Sequence, residues 1–555
     1  MAKRILIVGG VAGGASFAAR MRRLDEQAEI VMFEKGEHIS FANCGLPYHI
    51  GGTIKDRDKL IIQTPGAFKR RFNVDVEVRT EVVRVNTGDK LITVRTVDGL
   101  REERYDVLLL APGCAPVRPP VPGIDSSLVL TLRTISDMDR IRAIIDSAVP
   151  SASAVVVGGG FIGLEMAENL RHRGLDVSLV EMAPQVFAPA DPEMASVIEN
   201  HLALNGVKLK LKTGLKAFAE LSGQKLRVLL DNGEGLDADF AILAIGVKPD
   251  TSFLQGSGVR LSQRGAIIVD DRMRTSAPDV YAVGDAIEVT DFISGAAVHV
   301  PLAGPANRQG RIAADNAAGL DSRYRDTQGT AICKVFDVSI AVTGINEKNA
   351  RRSGVAYGKS YTHSASHATY YPGAFPLSIK ILFDPSSRRL LGAQIVGKEG
   401  VDKRIDVFAT ALRNRLTVDE LAELELAYAP PFGSAKDPVN MAGFVAQNIL
   451  DGRMPVCYPD DIDTFDSSRQ VLLDVRTAVE HEQGAIPNSL LIPVDELRGR
   501  LGELDKSREI LVYCQVGLRG YLATRILVQN GFRARNLSGG YKTYRTACSC
   551  RQSSE

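Results

Sequence analysis

Short apolar runs that end in glycine turns or acidic residues dominate the first half of the chain. The run 5–8 leads into the turn GGVAGG and an alanine-rich segment, and the run 30–33 ends in Glu34. The same order recurs over 154–180, where the last apolar run ends in Glu181. Uninterrupted apolar runs of this length are typical of buried parallel strands. The repeat therefore predicts two βαβ units, each with a glycine turn between strand and helix.

The glycine turns indicate what these units hold. Glycines let the backbone approach a pyrophosphate at a helix N-terminus, where free N–H groups favour an anion. The acid that ends the second strand, Glu34 or Glu181, can accept hydrogen bonds from ribose hydroxyls. Val11 stands where the first turn would have its middle glycine. Two copies with correctly placed acids predict two dinucleotide sites. The glycines concerned are Gly9 and Gly14 in the first unit, and Gly158, Gly160 and Gly163 in the second.

The second half has a different organisation. Residues 326–447 combine predicted strands at 332–342 and 377–383 with a predicted helix at 401–416, which is an α+β pattern. The segment 451–461 is rich in Pro and Asp and has no periodicity, so it predicts a linker. A final domain of about 95 residues follows.

Composition excludes several classes of protein. The formal net charge is +1, which gives no field for binding nucleic acid or membrane. No apolar run approaches the ~18 residues of a membrane span. Seven scattered cysteines do not form a disulfide framework, and a reducing cytoplasm fits them best.

Cys44 is the first candidate for chemistry. The next cysteine in the chain is Cys114, so Cys44 has no neighbour with which to form an internal dithiol. A lone reactive cysteine pairs with a sulfur brought by the substrate, or cycles through a sulfenate. Its position before a short helix predicts a depressed pKa. Cys114 and Cys333 are expected to be inert buried thiols.

Cys514 is the second candidate. The apolar strand 509–513 ends at Cys514, and the loop QVGLR leads into a helix. Such a loop turns backbone N–H groups toward the sulfur, which stabilises a thiolate or an anionic persulfide, and Arg519 adds positive charge. From Cys514 to Arg519 is six residues inclusive, a loop short enough for a terminal sulfur rather than a tetrahedral phosphate.

Several motifs together resemble one family. SFANCGLPY at 40–48, the Arg-rich 19–24, TSAPDVYAVGDA at 275–286 and AYAPPF at 427–432 resemble the pyridine-nucleotide disulfide oxidoreductases over residues 1–447, and among them the coenzyme A disulfide reductases. LLDVR at 472–476, GAIPNS at 484–489, the loop at Cys514 and NLSGGY at 536–541 resemble rhodanese over 465–546. The fused plan resembles coenzyme A disulfide reductases with a C-terminal rhodanese domain, which are implicated in NADH-dependent persulfide reduction.

The resemblance implies an α/β fold with two Rossmann-like dinucleotide-binding domains, an α+β dimerisation domain and a C-terminal α/β rhodanese domain. The implied boundaries are 1–110 and 247–325 for FAD, 111–246 for NAD(P)H, 326–447 for dimerisation, 448–464 for the linker and 465–555 for rhodanese. Glu181, followed by no Arg within 182–185, favours NADH, with NADPH as the alternative. The implied protein is a cytoplasmic homodimer that binds neither nucleic acid nor membrane.

The resemblance also implies roles for individual residues. NADH in the second βαβ unit would reduce FAD in the first, and the reduced flavin would supply electrons to the sulfur of Cys44. A helix N-terminus and the flavin's surroundings would together depress the pKa of Cys44. The implied catalytic residues are Cys44, Cys514, Tyr370, Tyr428 and Arg519, with Tyr370 favoured over Tyr371. The implied cofactor-binding residues are Gly9, Gly14, Glu34, Lys35, Val82, Ala111, Gly113, Arg133, Gly284 and Asp285 for FAD, and Gly158, Gly160, Gly163, Glu181 and Gly246 for NADH. Arg20, Arg23, Ser40 and Asn43 would bind coenzyme A, and no metal is expected.

Other interpretations stay open at this point. An NADH oxidase or peroxidase would use a Cys44 sulfenate, but such relatives carry a His where this chain has Ala12. A thiosulfate sulfurtransferase would use Cys514 with the flavoprotein half as a redox-responsive scaffold. Arg20 and Arg23 could instead form a solvated basic face. The tail 548–555, with Cys548 and Cys550, is expected to be disordered.

Overall fold

The chain divides into two compact units in the computed structural model, which describes residues 2–147 and 152–552. The first unit comprises Met1–Val180 and Gly206–Thr327, and the second comprises Glu181–Asn205 and Gln328–Glu555. In the part of the chain so described, every helix is too short or too polar to cross a membrane.

The first βαβ unit lies in a parallel five-stranded sheet. Ile5 pairs with Ile30 on one side and with Val107 on the other. The strands, in spatial order, are Val280–Ala282, Val107–Leu110, Arg4–Val8, Glu29–Glu34 and Asp75–Val78. The helix Ala12–Leu24 follows the first strand, as the pattern predicts.

A second parallel sheet contains the second βαβ unit. Its strands, in spatial order, are Val207–Lys210, Asp176–Val180, Ser153–Val157, Phe240–Leu243 and Val129–Leu130. The helix Phe161–His172 follows the central strand. Both predicted βαβ units are thus confirmed, because a parallel pair with a crossover helix is what each apolar-glycine-apolar segment encodes.

The glycines at the two turns are required by close packing. Gly9 has φ +94°, and a Cβ on Gly14 would lie 1.9 Å from the Gly9 carbonyl oxygen. The second unit repeats this contact, since a Cβ on Gly163 would lie 1.9 Å from the Gly158 carbonyl oxygen. Each helix therefore begins directly against its turn, with its first N–H groups facing the end of the strand.

Smaller elements complete the first unit. Its antiparallel strands are Glu81–Asn86, Leu91–Thr96 and Gly99–Arg104 in one sheet, Leu215–Leu221, Lys225–Leu230 and Gly235–Ala238 in another, and Cys114–Pro116 paired with Val247–Pro249. The short strands Ile267–Ile268, Ile287–Thr290 and Ala297–Val298 form a further sheet. The remaining helices are Leu46–Ile50, Pro65–Phe72, Ile135–Ser147 and Ala303–Ala317.

The second unit is built on an antiparallel five-stranded sheet. Its strands, in spatial order, are Ala331–Val335, Val338–Gly344, Leu390–Gly397, Pro376–Phe383 and Gly358–Ala365. The predicted single strand 332–342 is wrong: it is two strands joined at Phe336 and Asp337, where Phe336 has φ +54°. The predicted helix 401–416 is Val401–Arg413. The other helices here are Pro192–Leu204, Glu347–Ser353, Val418–Glu423 and Pro438–Leu450.

The C-terminal domain is a parallel sheet flanked by helices. Its strands, in spatial order, are Val456–Cys457, Ala534–Leu537, Glu509–Tyr513, Gln470–Asp474 and Leu490–Leu491. The first of these lies in the segment predicted as linker, because two residues are too few to show a pattern. The helices are Pro459–Asp463, Ala478–Glu482, Leu518–Gln529 and Gly540–Gln552.

The last helix corrects the expectation of a disordered tail. It extends to Gln552 and includes Cys548. Ser196 Oγ donates a hydrogen bond to the Thr546 carbonyl of this helix at 3.2 Å. The side chain of Cys550 and residues 553–555 lie outside the described part of the chain.

The C-terminal domain packs against the antiparallel sheet of its own unit. Half-buried His363 bridges Ser378 Oγ at 3.0 Å and Thr543 Oγ1 at 2.8 Å. The Tyr458 hydroxyl donates to the Lys359 carbonyl at 2.8 Å. Burial lowers the pKa of His363 to about 3, so this bridge is neutral at physiological pH.

Candidate active sites

The turn that carries Cys44 is held by backbone hydrogen bonds. Ser40 has φ +45°, and its N–H donates to the Gly10 carbonyl at 2.9 Å. The Ala42 N–H donates to the Leu60 carbonyl at 2.8 Å. Cys44 follows in the 3-10 turn Asn43–Gly45, ahead of the helix Leu46–Ile50, and is exposed. The glycine turn of the first βαβ unit and this loop therefore place the thiol at an accessible, fixed position.

The polypeptide around Cys44 raises the pKa of the thiol, so the depression expected from the helix N-terminus is not found. Loss of hydration raises the pKa of the thiol first, although the side chain is exposed, and the carboxylates of Glu165 and Asp285 raise it further. A backbone hydrogen bond opposes them. The helix that follows has only five residues and supplies a small dipole, which two facing carboxylates outweigh.

Glu165 is a functional candidate that sequence reasoning missed. Burial raises its pKa to about 7, and the Tyr48 hydroxyl donates to its Oε1 at 3.3 Å. Tyr48 lies in the helix that directly follows Cys44, and the charge of Glu165 raises the pKa of the Cys44 thiol. The available signal was an acid within the apolar segment FIGLEMA, where a helix facing a sheet would not otherwise place one.

We expect Glu165→Gln to make Cys44 more reactive. Removing the carboxylate removes a charge that disfavours the thiolate, so the pKa of Cys44 falls and alkylation by iodoacetamide near pH 8 becomes severalfold faster. The difference should shrink below pH 7, where Glu165 is protonated in the wild type. The measurement is the rate of Cys44 alkylation against pH, followed by peptide mass spectrometry on the holoenzyme.

Glu199→Gln is the matched control for this experiment. Burial also raises the pKa of Glu199 to about 7, but its carboxylate accepts from the Val186 N–H at 3.0 Å and is not among the charges acting on Cys44. An equal change in both variants, or no change in Glu165→Gln, would contradict the assignment.

A cavity of about 290 Å³ borders the first glycine turn. Gly9, Glu34, Lys35 and Val82, all expected to bind FAD, line it. The Glu34 carboxylate accepts from the N–H groups of Gly10 at 2.9 Å and Gly36 at 2.8 Å, which fixes it at the cavity wall. Its position and free lone pairs fit the ribose hydroxyls of an adenine dinucleotide. Lys35 is paired with Asp250.

The other residues expected to bind FAD meet at a second point of the first unit. Arg133 Nη2 would lie 2.7 Å from a Cβ on Gly113, and the Arg133 charge acts on Asp285. The Gly284 N–H donates to Gln309 Oε1 at 2.9 Å. Burial raises the pKa of Asp285, and Arg133 and His299 oppose it. The Ala111 N–H donates to the Val8 carbonyl at 2.8 Å, which joins this point to the first strand.

Cys114 lies beside Asp285 and is a buried thiol. Its Sγ donates to the Asp285 carbonyl at 2.9 Å, and burial raises its pKa to about 12. It therefore stays protonated at physiological pH, as expected for an inert cysteine.

The second glycine turn has the form of a pyrophosphate cradle. Gly158 has φ +110°, and the space that a Cβ on Gly160 would take is open. Gly246, with φ +109°, has open space in the same way. A side chain at these positions would obstruct a ligand that lies on the backbone. Glu181 directly follows the second strand, and its carboxylate accepts from the Ala183 N–H at 2.7 Å.

The residues expected to bind coenzyme A differ in their availability. Arg20 Nε donates to Asp315 at 2.6 Å, so part of its guanidinium is committed to an internal ion pair. Arg23 is exposed. Its neighbour Arg22 is buried instead, and its guanidinium donates to backbone carbonyls such as that of Phe72 at 2.9 Å. Ser40 and Asn43 lie in the Cys44 loop itself.

Tyr370 and Tyr428 are brought together although 58 residues separate them. Their hydroxyls are 2.7 Å apart, both rings are exposed, and the contact raises the pKa of Tyr370. Tyr371 instead packs against the ring of His367. The structure therefore pairs Tyr370, and not Tyr371, with Tyr428.

The loop after Cys514 has the expected form. The Gly517 N–H donates to Cys514 Sγ at 3.1 Å, and Gly517 has φ +109°. The Tyr541 N–H donates to the Cys514 carbonyl at 2.8 Å, which ties the loop to the last helix. The sulfur is buried and receives a backbone N–H, as a thiolate or persulfide requires.

Arg519 does not face Cys514 as an unpaired cation. Its Nη1 and Nη2 donate to the two carboxylate oxygens of Glu480 at 2.7 and 2.6 Å. Glu480 also completes a capping box with Thr477. The sequence indicated only the arginine, since its partner lies 39 residues earlier in the chain.

Comparisons with known proteins agree with this arrangement. Residues 3–310 match the pyridine nucleotide-disulphide oxidoreductases, 330–438 match the dimerisation domain of that family, and 462–547 match the rhodanese-like domain. A coenzyme A disulfide reductase of Staphylococcus haemolyticus is 38% identical over 80% of this chain and all of its own length. Proteins called NADH oxidases match as well.

Two solved structures extend over nearly the whole chain. The reduced CoADR-RHD of Bacillus anthracis is 48% identical, with a TM-score of 0.96 over 99% of each chain. A NAD-dependent persulfide reductase from A. fulgidus is 36% identical, with a TM-score of 0.91 over 98% of this chain and 100% of its own. The chain therefore belongs to the pyridine nucleotide-disulphide oxidoreductases, enzymes that use FAD and NAD(P)H, and carries a rhodanese-like domain at its C-terminus.

Proposed function

We propose that this protein uses NADH to reduce persulfides and disulfides of coenzyme A through Cys44, with release of sulfide from the persulfides. The observation that carries the proposal is an exposed lone thiol in a turn that backbone hydrogen bonds hold in place. The nearest cysteine in the chain, Cys114, is a buried thiol with a pKa of about 12. Such a thiol must take its sulfur partner from the substrate.

The reaction balances with a single cysteine. The Cys44 thiolate attacks the outer sulfur of R–S–SH, the S–S bond of the donor breaks, R–S⁻ leaves and Cys44–S–SH forms. Two electrons and two protons then return the Cys44 thiol and release H₂S, so that R–SSH + NADH + H⁺ gives R–SH + H₂S + NAD⁺. A disulfide gives two thiols by the same steps. FAD, when bound, supplies the transfer of the electron pair from NADH to sulfur.

Residues of this chain can hold the protons for these steps. Glu165, with a pKa of about 7, and Tyr48 lie around Cys44. Tyr370 and Tyr428 form an exposed hydroxyl pair, which supports their proposed role as donors to a leaving thiolate. The family places such tyrosines at a partner subunit's site, so we propose a homodimer, supported by the exposed aromatic rings of this surface, including Phe432.

We propose that Cys514 delivers sulfur to this reaction in the cytoplasm. Its thiolate would take the outer sulfur of a donor as Cys514–S–SH and pass it to the thiol of coenzyme A. The backbone N–H of Gly517 at 3.1 Å supports stabilisation of both anionic forms.

The test is anaerobic oxidation of NADH by the holoenzyme with coenzyme A persulfide, polysulfide, coenzyme A disulfide or peroxide. We expect sulfide release with the first two, and Cys514→Ser should slow polysulfide turnover about 10-fold or more, because a missing nucleophile removes the transfer route. Coenzyme A disulfide, which carries no sulfane sulfur, is the internal control. Unchanged turnover of every substrate by Cys514→Ser would refute the delivery role.

An oxidase or peroxidase predicts a different outcome of the same assay. Fast turnover with peroxide or oxygen and none with persulfide would favour a Cys44 sulfenate. Ala12 argues against it, because this position in the first glycine turn has no acid-base side chain where such relatives carry a His.

A further inference from the structure

Two arginines near Cys514, Arg519 and Arg476, each pair with a carboxylate. Both terminal nitrogens of Arg519 bond to Glu480, and these contacts lower the pKa of Glu480 to about 2, so the carboxylate is ionised at every physiological pH. A bidentate partner therefore offsets the formal charge that Arg519 brings to the loop, although Arg519 also interacts with the Cys514 thiol.

The second cation at this loop is also paired. Arg476 is buried, donates to both oxygens of Asp474 at 3.0 and 2.7 Å, and stacks 4.3 Å from the centre of the Tyr541 ring. His481 Nδ1 lies 2.9 Å from the same carboxylate. Gln515, the residue after Cys514, is neutral and accepts from Arg476 Nη1 at 3.3 Å.

Lys542 joins the loop only through its backbone. Its N–H donates to the Gln515 carbonyl at 3.0 Å, whereas its side chain lines a small cavity next to His363. Burial lowers the pKa of the Lys542 ammonium, which weakens it as a charge.

The exposed surface beside the loop is apolar. Val516, Leu518 and Leu522 are exposed, with Leu518 at 62%, and Leu518 and Leu522 share a helix face at i, i+4. Val479, exposed at 63%, adjoins the Glu480 that holds Arg519. A substrate that reaches the sulfur therefore meets aliphatic side chains around a charge-balanced loop.

We propose that Cys514 takes sulfane sulfur from a thiol persulfide with an uncharged, partly apolar arm, and that Glu480 sets this specificity against sulfur oxyanions by neutralising Arg519. The thiol of coenzyme A, which accepts sulfur from Cys514 in the proposed function, carries a pantetheine arm of the same uncharged, partly apolar kind. A dianion such as thiosulfate needs positive charge at the loop, and here the carboxylate that pairs the arginine repels it. The inference rests on the proposed function only in that Cys514 transfers sulfur.

The transfer step is the same for both donors apart from the leaving group. The Cys514 thiolate attacks the outer sulfur, the donor S–S bond breaks, and the persulfide forms, as Cys514–S–SH from R–S–SH or as Cys514–S–S⁻ from thiosulfate. A persulfide R–S–SH releases R–S⁻, and thiosulfate releases SO₃²⁻, so no oxidant or reductant is consumed. Specificity therefore depends on how the loop accommodates the charge of the donor and its leaving group.

Glu480→Gln tests the proposal with little change to the helix. Gln at this position keeps the capping box with Thr477, while the charge that neutralises Arg519 is lost. The assay is sulfur transfer to cyanide by the full-length holoenzyme without NADH, from thiosulfate or from pantetheine persulfide. We expect the ratio of kcat/KM for thiosulfate to that for the persulfide to rise about 10-fold or more, as a charge-assisted contact becomes available to the dianion.

Two further variants make the test specific. Glu480→Gln combined with Arg519→Gln should return the ratio to near the wild-type value, because the freed charge is gone. Glu482→Gln changes an exposed carboxylate of the same helix and should leave the ratio unaltered. Thermal unfolding of each variant checks that the domain is folded.

The results separate this inference from the proposed function. An unchanged or lower ratio in a folded Glu480→Gln variant, or a wild type that prefers thiosulfate, overturns the role of Glu480. Loss of NADH-dependent persulfide reduction would overturn the reductase proposal and would leave the cyanide assay unaffected, since it requires only Cys514.

Discussion

Cys44→Ser is expected to lower NADH-dependent turnover of coenzyme A persulfide and disulfide by about 10³-fold or more, because the nucleophile that forms the sulfur–sulfur bond is lost. The hydroxyl of serine cannot form a stable bond to sulfane sulfur or accept electrons there. Binding of FAD should persist, since Cys44 lies in the loop and not among the glycines and acids of the dinucleotide cradle. Anaerobic NADH oxidation and the flavin absorbance of the purified protein measure the two effects.

Cys114→Ser is the matched control for this loss. Cys114 belongs to the same unit and its Sγ donates to the Asp285 carbonyl at 2.9 Å, a bond that a serine hydroxyl can also donate. We expect its turnover to stay within about twofold of wild type, because a buried thiol with a high pKa takes no part in exchange. Activity that survives Cys44→Ser, or that is lost equally in both variants, would mean that the reacting sulfur is elsewhere.

Lys380→Met is expected to lower the free energy of unfolding of the second unit by ~3–5 kcal/mol, because it removes the buried cation that three carboxylates share. Lys380 has 0% of its side chain exposed, and its Nζ lies 2.8 Å from Asp191, 2.5 Å from Glu193 and 2.7 Å from Glu347. These three carboxylates have the spacing of a cation site, and the ammonium takes its centre. Urea unfolding at neutral pH measures the change.

The dependence on pH gives this prediction a second readout. Burial raises the pKa of Glu347, but Lys380 and Lys359 outweigh it and lower the pKa to about 2, below its usual value near 4.5. In the wild type Glu347 therefore contributes stability that is full above about pH 4.5 and is lost as the pH falls toward about 2. In Lys380→Met the unpaired carboxylates favour protonation, so the deficit against wild type should shrink as the pH falls.

Lys398→Met is the control for the loss of a lysine. Lys398 pairs with Asp337 on the surface of the same unit, and both side chains are roughly half exposed. An exposed pair contributes at most about 1 kcal/mol. A deficit in Lys380→Met no larger than that of Lys398→Met would show that the buried cluster is not a significant source of stability.

The fold was predictable from local patterns because each element carries its own signal. Continuous apolar runs, glycine turns and a terminal acid occur within about 30 residues of one another in each βαβ unit, so no distant contact is needed to recognise it. The strand pair 331–344 and the two-residue strand at Val456 were harder to predict from sequence. The tight turn at Phe336 and the shortness of the second strand leave no repeating pattern of apolar residues to recognise. The last helix contacts Pro192–Leu204, a helix more than 300 residues earlier in the chain, so no local pattern could show that the C-terminal segment is ordered.

In the candidate sites, too, features carried by contiguous residues were predictable, and contacts between distant residues were not. The sequence by itself determined the two candidate cysteines, the glycine turns of the two βαβ units and the order of the domains, because these are properties of contiguous residues. Only the tertiary structure decided the electrostatics: Tyr48 meets Glu165 across 117 residues, Arg519 meets Glu480 across 39, and Lys380 meets three separate carboxylates. Charges act through space and are shifted by burial, so the pKa of Cys44 and the net charge at Cys514 could be read only once the chain was folded.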